Sequence, residues 1–326
     1  MSIDIFSFFP ISIKDYKATT LPKQWMESIY HLGLFKLFLP EKLDGRECSM
    51  EQGLTMLFVL SEYHGSLGWT VNLGAGAGYF AGCLGEKEAT AIYGGYDAVV
   101  AGSDGLASKV LDSTKFDLIT GTWEFCTGAA HATHFTVNFQ NKKGEIMTAA
   151  ISKGDMRVKK YYPFFGLKAT STYQISCDQA IAFRGDIFKI GKLKSFKDYR
   201  VYQLDFNLFS RLCIATSFCG IASGFCQEAA RTRSKGDKNL IHLEMRVKLL
   251  WDNLLSFSAL IDNRDPKPEE KNDMEAHILE MVPEIVELVQ TIVTVTPMIA
   301  VDERYPIHWF WRDLLTASTH RLLHAP

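Results

Sequence analysis

No charge surplus of either sign marks this chain. Its 35 lysines and arginines nearly cancel 37 aspartates and glutamates, leaving a formal net charge of −2 over 326 residues. That balance argues against a nucleic-acid-binding surface and against an acidic solvating tail. The seven cysteines are an odd number without regular spacing, which does not fit a disulfide framework and suits a reducing compartment, so the cytoplasm is the expected location. The opening MSIDIFSFFP has no cationic stretch before its short apolar run, so no secretory signal is expected. No window is expected to reach the roughly 20 apolar residues of a membrane span. Internal repeats, low-complexity tracts, a phosphate-binding Lys-Ser/Thr loop and a Gly-x-Gly-x-x-Gly turn after a strand are all missing, which argues against a Rossmann nucleotide site. The glycine spacing around Ser103 in AGSDG is not that of a hydrolase nucleophile elbow.

What is present falls into three textures, which predict an α+β protein with a helical N-terminal domain (1–97), a central antiparallel β-barrel-like domain (98–203) and a C-terminal helical bundle (204–326). In the first, Trp25, Ile29, Leu32 and Phe35 recur at helical spacing, with Gly33 and Pro40 as exit signals and Ser49 as a cap for the next helix. The glycines from Gly74 to Gly82 read as close helix packing. In the second, short alternating runs such as FDLITGTWEFCTG and FTVNFQNKKGEIMTAAIS predict strands, with NKKG as a hairpin turn. In the third, long apolar-patterned segments flank a charged linker, DNRDPKPEEKND, and YPIHWFWRDLLTASTHRLLHAP reads as one more helix.

Several residues are candidates for chemistry. In GTWEFCTGAAHATHF a strand gives way to Cys126-Thr127-Gly128-Ala129-Ala130 before His131 and His134. Residues three apart on a strand point to opposite faces, so these histidines do not converge on one ion and no metal is expected. His320 and His324 in HRLLH would share a helix face, yet Arg321 stands where a zinc protease needs glutamate. Cys126 reads as a small buried hydrophobe. Ser103, Thr127, Thr170 and Ser171 sit beside Gly or Ala, where hydroxyls and free N–H groups suit a flat polar ligand.

Taken in order, GLFKLFLPEKLDG, AGSDG, KFDLITGTWEFCTGAAHATHF, FFGLKATSTYQISCDQAIAF and YPIHWFWRDLL resemble motifs of the acyl-CoA dehydrogenase superfamily over most of residues 30–320. Trp123 and His131 in GTWEFCTGAAHATHF, GSLGW at 65–69 and RDLLTASTH are most similar to its flavin-dependent two-component monooxygenases. The resemblance implies a flavin (FAD or FMN) held by Phe125, Thr127, Thr170 and Ser171. It places Ser103 and Trp69 on the substrate side and His320 and His131 at the catalytic centre, where a histidine suits proton handling near neutrality. It also implies a small-molecule substrate, a separate flavin reductase and a homo-oligomer (dimer or tetramer).

Two departures bear on chemistry. Dehydrogenases of the superfamily use a carboxylate base, and counting from Arg312-Asp313 lands on Arg321, which stays protonated; Glu228, on the first helix of the C-terminal part, is the other position considered. The Gly-Gly turn that meets a flavin's adenine end is replaced by TVTPMIAVDERYP, with Pro297, which leans toward FMN. Three readings therefore stand: a monooxygenase, an acyl-CoA dehydrogenase with an unassigned carboxylate, and a silent relative that binds a ligand or partner.

Overall fold

A computed structural model of the chain describes residues 5–107, 109–160, 164–232, 236–296 and 298–325; Pro297 lies outside the described residues. Helices come first: α1 (Ile13–Lys17), α2 (Lys23–His31), α3 (Met50–Tyr63), α4 (Gly65–Gly76) and α5 (Glu86–Tyr93). Strands follow: β1 (Val100–Leu106), β2 (Lys109–Asp112), β3 (Phe116–Cys126), β4 (His134–Gln140), β5 (Ile146–Ser152), β6 (Arg157–Lys159), β7 (Tyr173–Phe183) and β8 (Ile187–Phe188). Then come α6 (Arg200–Gln203), α7 (Phe206–Thr232), α8 (Lys238–Asn263), α9 (Pro268–Val295) and α10 (Pro306–Ser318).

The helices on either side of the strands share one hydrophobic core, in which Trp25, Leu57 and Leu67 join Phe218, Leu250 and Leu314. α7 runs through its centre with sixteen buried residues. By length and composition α7 is apolar enough to cross a membrane, which corrects the expectation that no window would be; most of it is buried inside the protein. Caps show how tightly the remote segments are joined. Ser49 caps α3 through the Gln52 N–H at 3.3 Å, while Asp262 of α8 accepts the neighbouring Met50 and Glu51 N–H groups at 2.8 and 2.9 Å, so orphan donors of one helix are satisfied by another. α2 is shorter than its periodicity predicts: Gly33 turns left-handed at φ 62° and places Phe35 in a separate 3₁₀ turn. Gly74 and Gly82 do pack closely, against Phe35 and Tyr202, whereas Gly76 faces open space.

The strands form two four-stranded sheets, ordered β1-β4-β5-β8 and β2-β3-β7-β6, with Ile119, Trp123, Phe135, Val137 and Ile175 buried between them as a second core. Pairing is antiparallel except that β1 runs parallel to β4, Val100 opposite His134. The expectation of a purely antiparallel domain is corrected on this pair: the chain crosses to the other sheet for β2 and β3, then returns beside β1 in the same direction. Asn141 closes the expected β4–β5 hairpin by accepting the Lys143 and Glu145 N–H groups at 2.9 and 3.0 Å. β3 is irregular at its end, with a register shift between Trp123 and Cys126 against β7.

The terminal stretch is not one helix. α10 stops at Ser318, and His320 takes an extended backbone because its own side chain caps the next short turn, Arg321–Leu323. His320 and His324 therefore do not share a helix face.

Candidate active site

Helices and sheets meet around a cavity of about 640 Å³, lined by α4, β1, the end of β3, the 164–172 loop, the first turns of α7 and residues 316–322. The size is that of a small-molecule site, about 300–1,000 Å³.

Its β wall carries a directed chain of hydroxyls. Thr170 donates to the Leu167 carbonyl at 2.8 Å, and a carbonyl only accepts. Thr170 has one hydroxyl hydrogen, so at its 2.8 Å contact with Thr172 it is the acceptor, and Thr172 in turn accepts from Thr127 at 2.9 Å. The Thr127 hydrogen thus points into the wall, and Thr127, at the cavity surface, presents oxygen lone pairs. Beside it, Phe125 lines the cavity with its backbone at φ 58°. That left-handed conformation is costly for an aromatic residue, and such strain concentrates at functional sites. Ser103 donates to the Glu124 carbonyl at 2.8 Å and ties β1 to this strand end.

The small residues after Phe125 hold this wall in place. Gly128 and Ala129 donate their N–H groups to the carbonyls of Thr170 and Ser171 at 3.0 and 3.2 Å, joining the turn to the loop. α10 fixes the loop from the other side: Arg312 Nε donates to the Phe165 carbonyl at 2.5 Å, Leu167 N–H donates to Asp313 at 2.5 Å, and Gly166 N–H donates to Thr316 Oγ1 at 2.8 Å. Asp313 is buried, and burial raises its carboxyl to about 7 against the opposing pull of the Leu167 N–H and Arg312.

His320 lines the opposite edge, its ring edge-on to Trp69 at 5.8 Å. Its Nδ1 accepts the Leu322 N–H at 3.3 Å, which leaves the ring proton on Nε2 in the neutral form. Burial first, then the Arg321 guanidinium, lowers its pKa to about 4, so this imidazole is neutral at pH 7. Arg321 pairs with Asp104 across the cavity mouth at 2.5 Å.

The structure thus brings Trp69, Ser103, Phe125, Thr127, Thr170 and His320 to one cavity. His131 and Ser171 are not at its wall. His131 lies behind the strand end, stacked on Phe35 at 5.4 Å with its Nε2 buried and without a partner among the described residues; burial, then Lys153, lowers its pKa to about 4. Ser171 sits in the left-handed region at φ 51° and offers the turn its carbonyl. The position counted from the Arg-Asp pair holds Arg321, and Glu228 pairs with Arg231 at 2.5 Å, away from the cavity. Thr172 and Asn72 were missed. Thr172 stood beside the two named residues but without a motif match, and Asn72 sat within an apolar helical run that gave no sign of facing a cavity.

An internal site between a β wall and two helical layers is the architecture of the acyl-CoA dehydrogenase-like fold, and comparison with known proteins bears this out. No protein-family profile matches the chain. A curated relative, indole-3-acetate monooxygenase of Acinetobacter baumannii, is 23% identical over 162 residues, 48% of this chain and 41% of the relative; the match spans about two-fifths of that protein's length. Among solved structures, the 3-HSA hydroxylase of Rhodococcus sp. superposes with a TM-score of 0.86 at 15% identity, covering 95% of this chain and 88% of that one. XiaF of Streptomyces sp., in complex with FADH2 and glycerol, gives 0.83 at 15% identity, covering 98% and 88%. The chain has their fold.

Proposed function

We propose that this protein is a flavin-dependent monooxygenase that receives reduced flavin from a separate reductase and oxygenates a small organic substrate. The observation that carries the reading is the direction of the Thr127–Thr172–Thr170 chain. Because all three hydroxyl hydrogens run toward the Leu167 carbonyl, Thr127 meets a ligand as an acceptor. A reduced isoalloxazine carries N5–H where the oxidised ring carries only a lone pair, so this wall suits the reduced ring. The residues present fit the group: Phe125 supplies an aromatic face, and the cavity between it and Trp69 is open rather than filled by the protein's own side chains. The resemblance in names among the related proteins supports the same reading.

Bound reduced flavin supplies the two electrons with which one atom of molecular oxygen enters the substrate and the other leaves as water. The chain's own residues hold and orient. Thr127, backed by Thr172 and Thr170, accepts from the ring edge. His320, neutral and protonated at Nε2, offers a proton-bearing nitrogen to an oxygen in the cavity rather than a base, since Nδ1 is already engaged. Trp69 stands edge-on to that imidazole, and the Leu322 N–H holds its Nδ1. The acyl-CoA dehydrogenase reading finds less support, because Asp104 is engaged with Arg321; Glu124 accepts from the Gln174 amide through Oε1, and its buried Oε2, without a partner among the described residues, is what that reading would have to use. An exposed apolar stripe on α8, Ile241, Met245 and Leu249, supports assembly into a homo-oligomer, which light scattering would detect.

Titration with reduced and with oxidised flavin, each as FMN and FAD under argon, tests the reading. Reduced flavin should bind at least about tenfold more tightly, and Thr127→Val should remove that preference. Equal affinity for both redox states in the wild type would refute it.

A further inference from the structure

The helical wall of the cavity is apolar over Leu73, Ala77, Phe80 and Phe209, with polar side chains at Asn207 and Ser210 of α7 and at Asn72 of α4. Asn72 on α4 lies on the same face as Trp69, one turn further along, and is 98% buried, its relative exposure being 2%. Both of its amide hydrogens are committed to α7: Nδ2 donates to the Cys213 carbonyl at 3.0 Å and to Ser217 Oγ at 2.9 Å. The Cys213 carbonyl can only accept, so the amide cannot be turned over, and nitrogen and oxygen are assigned by the bonding itself. Oδ1 is left with no protein donor among the described residues. It is not a sealed orphan, because Asn72 is part of the cavity lining. Ser210 of α7 also lines the cavity, and its hydroxyl has no side-chain hydrogen bond among the described residues.

We propose that Asn72 Oδ1 is the specificity-determining acceptor for the substrate, and that the substrate class is a small flat molecule carrying an N–H or O–H donor, such as a phenol or an N-unsubstituted heteroaromatic ring. That this ligand is a substrate rests on the monooxygenase reading; that Oδ1 reads a donor rests on the helix pair alone. The apolar wall takes the ring, and Asn72 fixes its orientation within about one helical turn, roughly 5 Å along the axis, of Trp69 and therefore near His320. A ligand of the same outline without the donor would bury Oδ1 unpaired, and such a site discriminates against it more strongly than an apolar wall would.

Indole and benzofuran have nearly the same outline, and only indole carries N–H. Calorimetric titration of the wild type with each, with and without reduced FMN under argon, should show indole bound about three- to tenfold more tightly. Asn72→Leu should bring the ratio to about one while benzofuran binding is retained. Ser217→Ala, which removes one anchor without reaching the cavity, controls for a merely structural effect: it should lower the melting temperature and leave the ratio intact. Equal affinities in the wild type, no binding of indole, an unchanged ratio in Asn72→Leu, or an equal collapse in Ser217→Ala would each overturn the proposal. The wild-type ratio decides even if the leucine variant does not fold. Affinity for reduced FMN, measured in the same samples, separates the two readings: a wild type that discriminates indole but ignores flavin loses the monooxygenase function and keeps the subsite.

Discussion

On the β side of the cavity the hydroxyls of Ser103, Thr127, Thr170 and Thr172 are all bonded to protein, whereas on the helical side Asn72 and Ser210 each hold a side-chain oxygen without a partner among the described residues. The two walls differ in construction as well. The β wall is irregular, with Phe125 and Leu167 at positive φ, and it stays in place because β7, the 127–131 turn and α10 all bond to it. The helical wall is two regular helices joined through one amide. The difference teaches how a cavity can be divided: on the proposed reading, a cofactor of constant shape meets a wall over-determined from several elements, while the substrate meets a largely apolar surface with few polar groups, Asn72 among them.

The comparison breaks most sharply at the glycines. A Cβ at Gly166 would run into the backbone carbonyl of Arg312, whereas one at Gly76 would meet nothing within 4 Å. Gly166→Ala should therefore cost about 3 kcal/mol or more, because neither backbone can retreat without losing the α10 bonds. Gly76→Ala should gain up to about 1 kcal/mol from helix propensity. Urea midpoints would show the contrast, and a mild effect at Gly166 would mean the β wall is looser than described.

Acidity comes next. His64, His131 and His320 are each held near 4 by burial. The unfolded chain takes up protons at these residues below about 6.5 while the folded chain does not, so their stabilising contribution is lost as pH falls from 6.5 toward 4. Asp313, raised to about 7 from 3.8, works in reverse: the folded state keeps a proton the unfolded state has released, and its contribution is lost as pH rises from about 4 toward 7. Three groups outweigh one, so stability should drop on acidification through this window. Asp313→Asn, which keeps the acceptor for Leu167 N–H, should be more stable than the wild type at pH 8, by on the order of 2–4 kcal/mol, with the gain shrinking toward pH 5. A constant difference across pH would show that Asp313 does not titrate in the fold.

Smaller effects sharpen the functional contrast. Thr127→Val should weaken reduced-flavin binding about tenfold, and Thr127→Ser should restore it, since the relay needs a hydroxyl and not a methyl. Phe125→Gly should relieve the left-handed strain and raise stability by about 1 kcal/mol while weakening flavin binding. Simultaneous loss of both would show the strain to be unconnected with the ligand.

Much of this was legible beforehand. The change from helical to alternating texture marked the strands, Ser49 announced α3, and the order of loose motifs named the fold that superposition then showed. Phe125, Thr127 and His320 were picked from short phrases whose spacing stays local. The misreadings have a common cause. The end of α10, the parallel β1–β4 pair and the placement of His131 against Phe35 depend on contacts between residues far apart in the chain. His131 was grouped with the site by its place in the motif that resembles the two-component monooxygenases, yet the turn that Gly128 opens carries it behind the wall, against Phe35.

From the chain alone came the inventory: which segments alternate, where hydroxyls stand beside small residues, and which histidine follows an Arg-Asp helix. Direction came from the folded state. A threonine in sequence is equally donor and acceptor, and an asparagine is both at once. Only when Leu167, Cys213 and Ser217 are brought within reach are their hydrogens claimed, and what the cavity receives from Thr127 and Asn72 is the oxygen that remains.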